Sequence, residues 1–132
     1  MNKQSLFYLL LICITFTACK KDADDNIGYL INGKALNVKN GKKIYLHKIE
    51  NFKPVIVDST VVNNEQFEFK GNVLKPDLRF ITTEGQKRPL YFILSNSHLK
   101  AAMQKDSFNL WKVTGDDENK VFNEFNALPL IK

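Results

Sequence analysis

The sequence predicts an all-β domain, an antiparallel β-sandwich or barrel-like sheet of seven to eight short strands with one C-terminal α-helix. Three observations predict it. Short runs rich in β-branched and aromatic residues follow one another from Gly28 onward, roughly every eight to twelve residues. Turn signals stand between them, at Asn40-Gly41, Asn63-Asn64, Pro76-Asp77 and Pro89. Helical spacing of apolar residues arises in one clear stretch, after Gly115.

Ahead of the strands, Met1–Ser5 carries one positive charge, Lys3, and Leu6–Phe16 (LFYLLLICITF) is a run of eleven residues, apolar except for Thr15. Spanning a bilayer as a helix takes about 20 residues, so this run is too short to cross. Thr17-Ala18 then places small residues just before Cys19, the arrangement at which a lipoprotein signal peptidase cuts. Residues 1–18 are therefore expected to be a signal peptide and Cys19 to be the acylated first residue of the mature protein. Residues 19–26 read as the lipidated cysteine and a flexible tether, KKDADDN being short and polar. Its acidic run also resembles the surface-export signals of some Gram-negative lipoproteins, so periplasmic and surface-facing placements both stay open. Lys20, rather than an aspartate, follows the cysteine, which favours the outer membrane over retention at the inner one.

Residues 27–132 are expected to form a single domain of modest core. Tyr29–Asn32 is a short extended piece. Lys43–Lys48 sets Ile44 and Leu46 on one face and Lys43, Tyr45 and His47 on the other. Pro54–Val62 is rich in β-branched residues. Gln66–Val73 alternates most cleanly, with Phe67, Phe69 and Gly71 against Glu68 and Lys70, and Asn63-Asn64-Glu65 between these two runs predicts a tight hairpin. Leu78–Thr83, Leu90–Leu94 and Phe108–Thr114 follow, and a weaker run, Leu99–Gln104, is expected to pair between the last two. Asp116-Asp117-Glu118 puts acids at a helix N-terminus, Val121, Phe122, Phe125 and Leu128 recur at helical spacing, and Pro129 ends the run. That apolar stripe must dock on the sandwich or on a partner, because an isolated helix of this length is marginal in water.

Gly41-Lys42-Lys43-Ile44-Tyr45-Leu46, Val57-Asp58-Ser59-Thr60-Val61-Val62, Phe67-Glu68-Phe69-Lys70-Gly71, and Val113-Thr114-Gly115 with Asn119, Phe122 and Phe125 resemble, in order and spacing, the domain of unknown function 4369. The resemblance covers about residues 27–126. It implies a β-rich domain that follows the lipidated cysteine of Gram-negative lipoproteins and precedes a thioredoxin-like domain. This sequence has no Cys-x-x-Cys after the helix, so disulfide exchange is not carried over. The glycine usual in the family's Phe-Glu-Phe hairpin is replaced by Asn64-Glu65.

Composition narrows the chemistry. Cys13 leaves with the signal and the Cys19 sulfur is alkylated, so the mature domain has no thiol for redox work or metal binding. From residue 19 the chain carries 18 basic and 14 acidic residues, a net charge of +4 without the dense basic stripe of a nucleic-acid binder. His47 and His98 are far apart and lack the spacing of a zinc site. The acids 22–25 and 116–118 lack the pattern of a calcium loop. Asp58-Ser59-Thr60 with His47 suggests a hydrolytic set, but neighbouring strand residues face opposite ways, which favours structural roles. Trp111, Tyr91, Tyr45, Arg79 and Arg88 could form a sugar- or peptide-binding face. Burial of Trp111 and of the eight phenylalanines beyond the signal is the more ordinary expectation. The lysines of residues 39–43 read as a solvated turn.

The sequence thus points to a lipid-anchored, noncatalytic module of the cell envelope, without cofactor, metal or nucleic acid. Its expected contacts are the membrane, through Cys19, and an envelope protein or ligand, with Val121, Phe122, Phe125 and Leu128 as the candidate binding stripe. The alternatives are an accessory domain that binds a separate thioredoxin-like oxidoreductase, and an enzyme of unrecognised type.

Overall fold

The computed structural model describes residues 28–107 and 110–129, and the signal peptide, Cys19 and the tether lie outside the described residues. Eight strands run β1 (Tyr29–Leu36), β2 (Lys43–Glu50), β3 (Lys53–Val61), β4 (Gln66–Gly71), β5 (Asp77–Thr83), β6 (Leu90–Leu94), β7 (His98–Gln104) and β8 (Lys112–Thr114), followed by helix α1 (Asp117–Ala127). They form two four-stranded sheets, ordered β4-β1-β7-β8 and β3-β2-β5-β6. The architecture is a sandwich, not a closed barrel.

Alternation builds the core between the sheets. Ile44 and Leu46 of β2, Phe67 and Phe69 of β4, Phe92 and Leu94 of β6, and Leu99, Ala101 and Met103 of β7 are all buried, while their immediate neighbours point outward. Gly33 on β1 stands opposite Phe67, and a Cβ there would lie 2.1 Å from the ring, so only glycine lets the ring lie flat across β1.

Four expectations need correction. The first strand reaches Leu36 instead of Asn32, because Gly33 is a packing site for Phe67 and not a break. The run near Leu99 pairs with one of the two runs flanking it, the last strand, but not with the run at Leu90–Leu94. It becomes β7, parallel to β1 in the opposite sheet, with Ile31 beside Leu99, so the sandwich is not wholly antiparallel. The last strand begins at Lys112, with Leu110 and Trp111 outside it, and the expected start at Phe108 lies outside the described residues. The turn after β3 is tight, with Asn64 and Glu65 at φ 49° and 59° and reciprocal hydrogen bonds between Asn63 and Gln66. It is nonetheless an arch between sheets rather than a hairpin. Beyond that one bridge β3 pairs with β2 and β4 with β1, since the side chains of Phe67 and Phe69 fill the core from the β1 sheet.

The register fixes which loops share an end of the sandwich. One end collects the start of β1, the β2–β3 turn at Asn51-Phe52, the 72–76 connection, the turn at 95–97 and the start of α1. The other collects residues 37–42, Asn64-Glu65 and residues 84–89.

Filling the groove beside Phe67 should cost stability. Gly33→Ala is expected to lower unfolding free energy by about 1–3 kcal/mol through overpacking, read as a lower denaturant midpoint, and Phe67→Leu in the same chain should recover part of the loss.

Candidate functional site

Helix α1 lies along the open side of the sandwich, between edge strands β6 and β8, and polar side chains hold it there. Asn119 is fully buried. Its Oδ1 accepts from the Ile93 backbone N–H at 2.9 Å and its Nδ2 donates to the Ile93 carbonyl at 2.7 Å, so the amide pairs with β6 as another strand would. The same Nδ2 lies 2.8 Å from Asp116 Oδ1. One turn on, Asn123 Nδ2 donates to the Val113 carbonyl of β8 at 2.7 Å. The helix therefore ties one edge of each sheet to the other.

Asp116 caps the helix, accepting from the Asn119 backbone N–H at 3.0 Å, and its Oδ2 accepts from the hydroxyls of Ser95 and Ser97. Burial pushes the Asp116 carboxyl up, but the hydrogen bonds from Ser95, Asn119 and Ser97 together outweigh it and hold the group below the usual carboxylate range.

The four candidate stripe residues divide. Positions 119, 123 and 126 form the inner face of α1, and positions 121, 125 and 128 recur on the outer face. Val121, Phe125 and Leu128 are 64%, 71% and 62% exposed. Phe122 is half-buried and lines the groove between α1 and β6, opposite Leu78, Leu90 and Trp111. Of the apolar residues expected to dock on the sandwich or on a partner, only Phe122 turns toward the sandwich, and a polar clamp of Asn119 and Asn123 holds the helix there. Asn119 and Asn123 were missed as anchors because nothing local distinguishes a clamping Asn from a solvated one.

The hydrolytic candidates separate. Asp58 stands opposite Leu46, on the face of β3 that turns toward the core, whereas His47 lies on the outer face of the sheet. His47 stacks on Phe80 with ring centres 4.4 Å apart and hydrogen-bonds Thr82 Oγ1 at 2.8 Å, and burial lowers its pKa. Packing and a hydrogen bond thus hold this ring against the sheet. Arg79 pairs with Asp77 at 3.3 Å, its side chain 13% exposed. Burial raises the Tyr29 hydroxyl's pKa; the Asp58 charge adds to the rise and Arg79 opposes it.

The five-residue binding face assembles only in part, with Arg88, Tyr91 and Trp111 lining the groove beside Phe122. Tyr45 and Tyr91 sit on the outer face around His47 and Phe80, while Trp111 packs against the core and donates to the Gln104 carbonyl at 2.6 Å. Among the described phenylalanines, Phe52 and Phe125 are exposed, against the expectation of general burial. A concavity of about 710 Å³, unforeseen from the sequence, crosses the β4-β1-β7-β8 sheet and is lined in part by Asn32, Lys34, Lys100, Ala102 and Lys112. Its members come from strands far apart in sequence, so no local motif announces it. Among the described residues no cluster of His, Cys, Asp or Glu is placed to hold a metal ion, and no helix is long and apolar enough to cross a membrane.

A family model, Domain of unknown function (DUF4369), matches residues 29–122. The chain belongs to this family. The match takes in all eight strands and the first half of α1. No curated protein and no solved structure matches the chain.

Two outcomes test the clamp. Asn119→Ala strands the part-buried Ile93 N–H and carbonyl and should cost about 1–3 kcal/mol, whereas Val121→Ser or Phe125→Ser should change stability by about 0.5 kcal/mol or less, both read by denaturant unfolding. Because the folded-state pKa of Asp116 is depressed, its contribution is present above the ordinary aspartate value of 3.8 and is lost as pH falls through the lower folded value. Fluorescence of Trp111, beside the helix, should report a loosening in that acid range that Asp116→Asn reduces.

Proposed function

We propose that this DUF4369 chain is a lipid-anchored, noncatalytic module of the cell envelope, held at the outer membrane through Cys19 and offering its C-terminal helix to a partner protein. The observation that carries the interaction half is the outward stripe of Val121, Phe125 and Leu128 on a helix whose position is fixed by other residues. A rigid helix with an exposed i, i+4, i+7 apolar row suits insertion into a hydrophobic groove of a partner. The anchoring half rests on the signal-like Leu6–Phe16 run and the small residues before Cys19. Several acyl chains hold a protein firmly where one would not.

We read the module as noncatalytic because His47 and Asp58, the candidate base and acid, face opposite sides of their sheet and so do not converge. A second reading names the partner: a separately encoded thioredoxin-like oxidoreductase, bound through the exposed helix. The stripe favours it, since the family resemblance implies a thioredoxin-like domain as the neighbour of this helix.

Cys19→Ala in the full chain should move the protein from the membrane fraction to the soluble fraction of a Gram-negative host. An unchanged distribution would refute acyl anchoring. For the helix, Val121→Asp with Phe125→Asp should abolish capture of a thioredoxin-like protein from the same envelope while leaving the unfolding midpoint in place, and capture that persists would remove the stripe from the interface.

A further inference from the structure

The end of the sandwich from which the chain runs back toward Cys19 carries two apolar tips. Phe52, in the β2–β3 turn, is 102% exposed, and Leu74, in the β4–β5 connection, is 104% exposed. Both lie at the end where β1 starts, because Glu50 and Lys53 close β2 and β3 there and Gly71, opposite Tyr29, leads into the Leu74 loop. Their strands, β3 and β4, are the two edges on the side away from α1.

The local sequences repeat: Phe52-Lys53-Pro54 and Leu74-Lys75-Pro76 each set a lysine beside the apolar tip and a proline behind it. Phe52 also has φ 62°, a left-handed conformation that a bulky residue rarely adopts and that holds the ring out from the turn. Ile49, 46% exposed, extends the apolar surface down the hairpin.

We infer that this end docks on the bilayer, with Phe52 and Leu74 entering the interface between headgroups and acyl chains and Lys53 and Lys75 meeting anionic headgroups. The inference rests on the acyl-anchor reading, which supplies the geometry. Residues 19–27 are nine residues, which fully extended reach about 30 Å. The tether leaves from this end, so this end is the one held over the lipid. The charges of the loops agree in sign, whereas the tether carries Asp22, Asp24 and Asp25 against Lys20 and Lys21. Lys48 pairs with Glu50 at 2.6 Å and Arg79 with Asp77 at 3.3 Å, and Lys53 and Lys75 add two positive charges to the same loops. Lysines at such positions lay their stems along apolar surface and keep the ammonium among headgroups. The acids Asp117 and Glu118 lie at the same end but on the β6 and β8 side, so contact through the β3 and β4 side keeps them, and the outward stripe of α1, off the anionic surface.

The test supplies the tether chemically, so that it does not depend on acylation in the cell. The chain from Cys19 onward contains every described residue and a single thiol, which can be coupled to a maleimide lipid in phosphatidylcholine vesicles containing phosphatidylglycerol. Phe52→Trp, Leu74→Trp and Phe125→Trp variants are then compared with the parent, whose Trp111 gives the background, using lipids brominated along the acyl chain. Quenching of the tryptophans at positions 52 and 74 severalfold stronger than at 125, and weakened by Lys53→Glu with Lys75→Glu, is the expected result. Equal or absent quenching at 52 and 74 in vesicle-bound protein overturns the docking. Failure of the anchor itself would be seen separately, in fractionation of the full chain with and without Cys19→Ala.

Discussion

One side-chain amide decides what this domain presents to its surroundings. Asn119, buried and paired at both atoms with the backbone of Ile93, does for the edge of β6 what a neighbouring strand would do, and Asn123 repeats half of that contact on β8. A buried edge that lacked such a partner would leave a donor and an acceptor unsatisfied, a larger penalty than the net gain of an ordinary hydrogen bond. Anchoring by amides fixes the rotation of α1 about its axis. Because a helix has only one inward face, fixing Asn119 and Asn123 inward turns Val121, Phe125 and Leu128 outward. The exposed stripe is thus a geometric consequence of the clamp.

Much of the architecture was legible because it follows from alternation. Ile44 and Leu46, and Phe67 and Phe69, declare their inner faces within one strand, and Asp116 and Pro129 bracket the helix with local signals. What was not legible is long-range pairing. The sequence 98–104 shows a strand but not that it runs beside β1, because the parallel pair is set by how both sheets fill one core. Likewise Asn63–Gln66 reads as a hairpin turn whether or not the flanking strands stay together. For the helix, apolar spacing grouped Phe122 with Val121, Phe125 and Leu128 although it turns the other way, and it said nothing of direction, since Phe125 buried and Phe125 exposed have the same sequence.

The two ends and two sides of the sandwich are unequal in a way that gives the domain an orientation. The start of β1, Phe52 and Leu74 share one end, Phe52 and Leu74 on the β3 and β4 side, and α1 closes the opposite side. Edge strand β3 carries Pro54 and a bulge where its register shifts between Leu46 and His47, devices that discourage pairing with another chain. With that edge blunted, the helix is the better interaction surface, and a domain resting on its lipid-proximal loops would hold the helix clear of the bilayer.

The account turns on the Asn119 clamp, and amide hydrogen exchange at Ile93 measures it most directly. The Ile93 N–H lies on the side of β6 away from β5 and has no strand partner there, so protection at this amide reports the Asn119 contact alone. Exchange slowed to the level of the core strands, and accelerated by Asn119→Ala, is the result predicted. Free exchange at Ile93 in the parent chain, together with protection of the Phe125 ring from solvent, would contradict the clamp and the outward stripe at once.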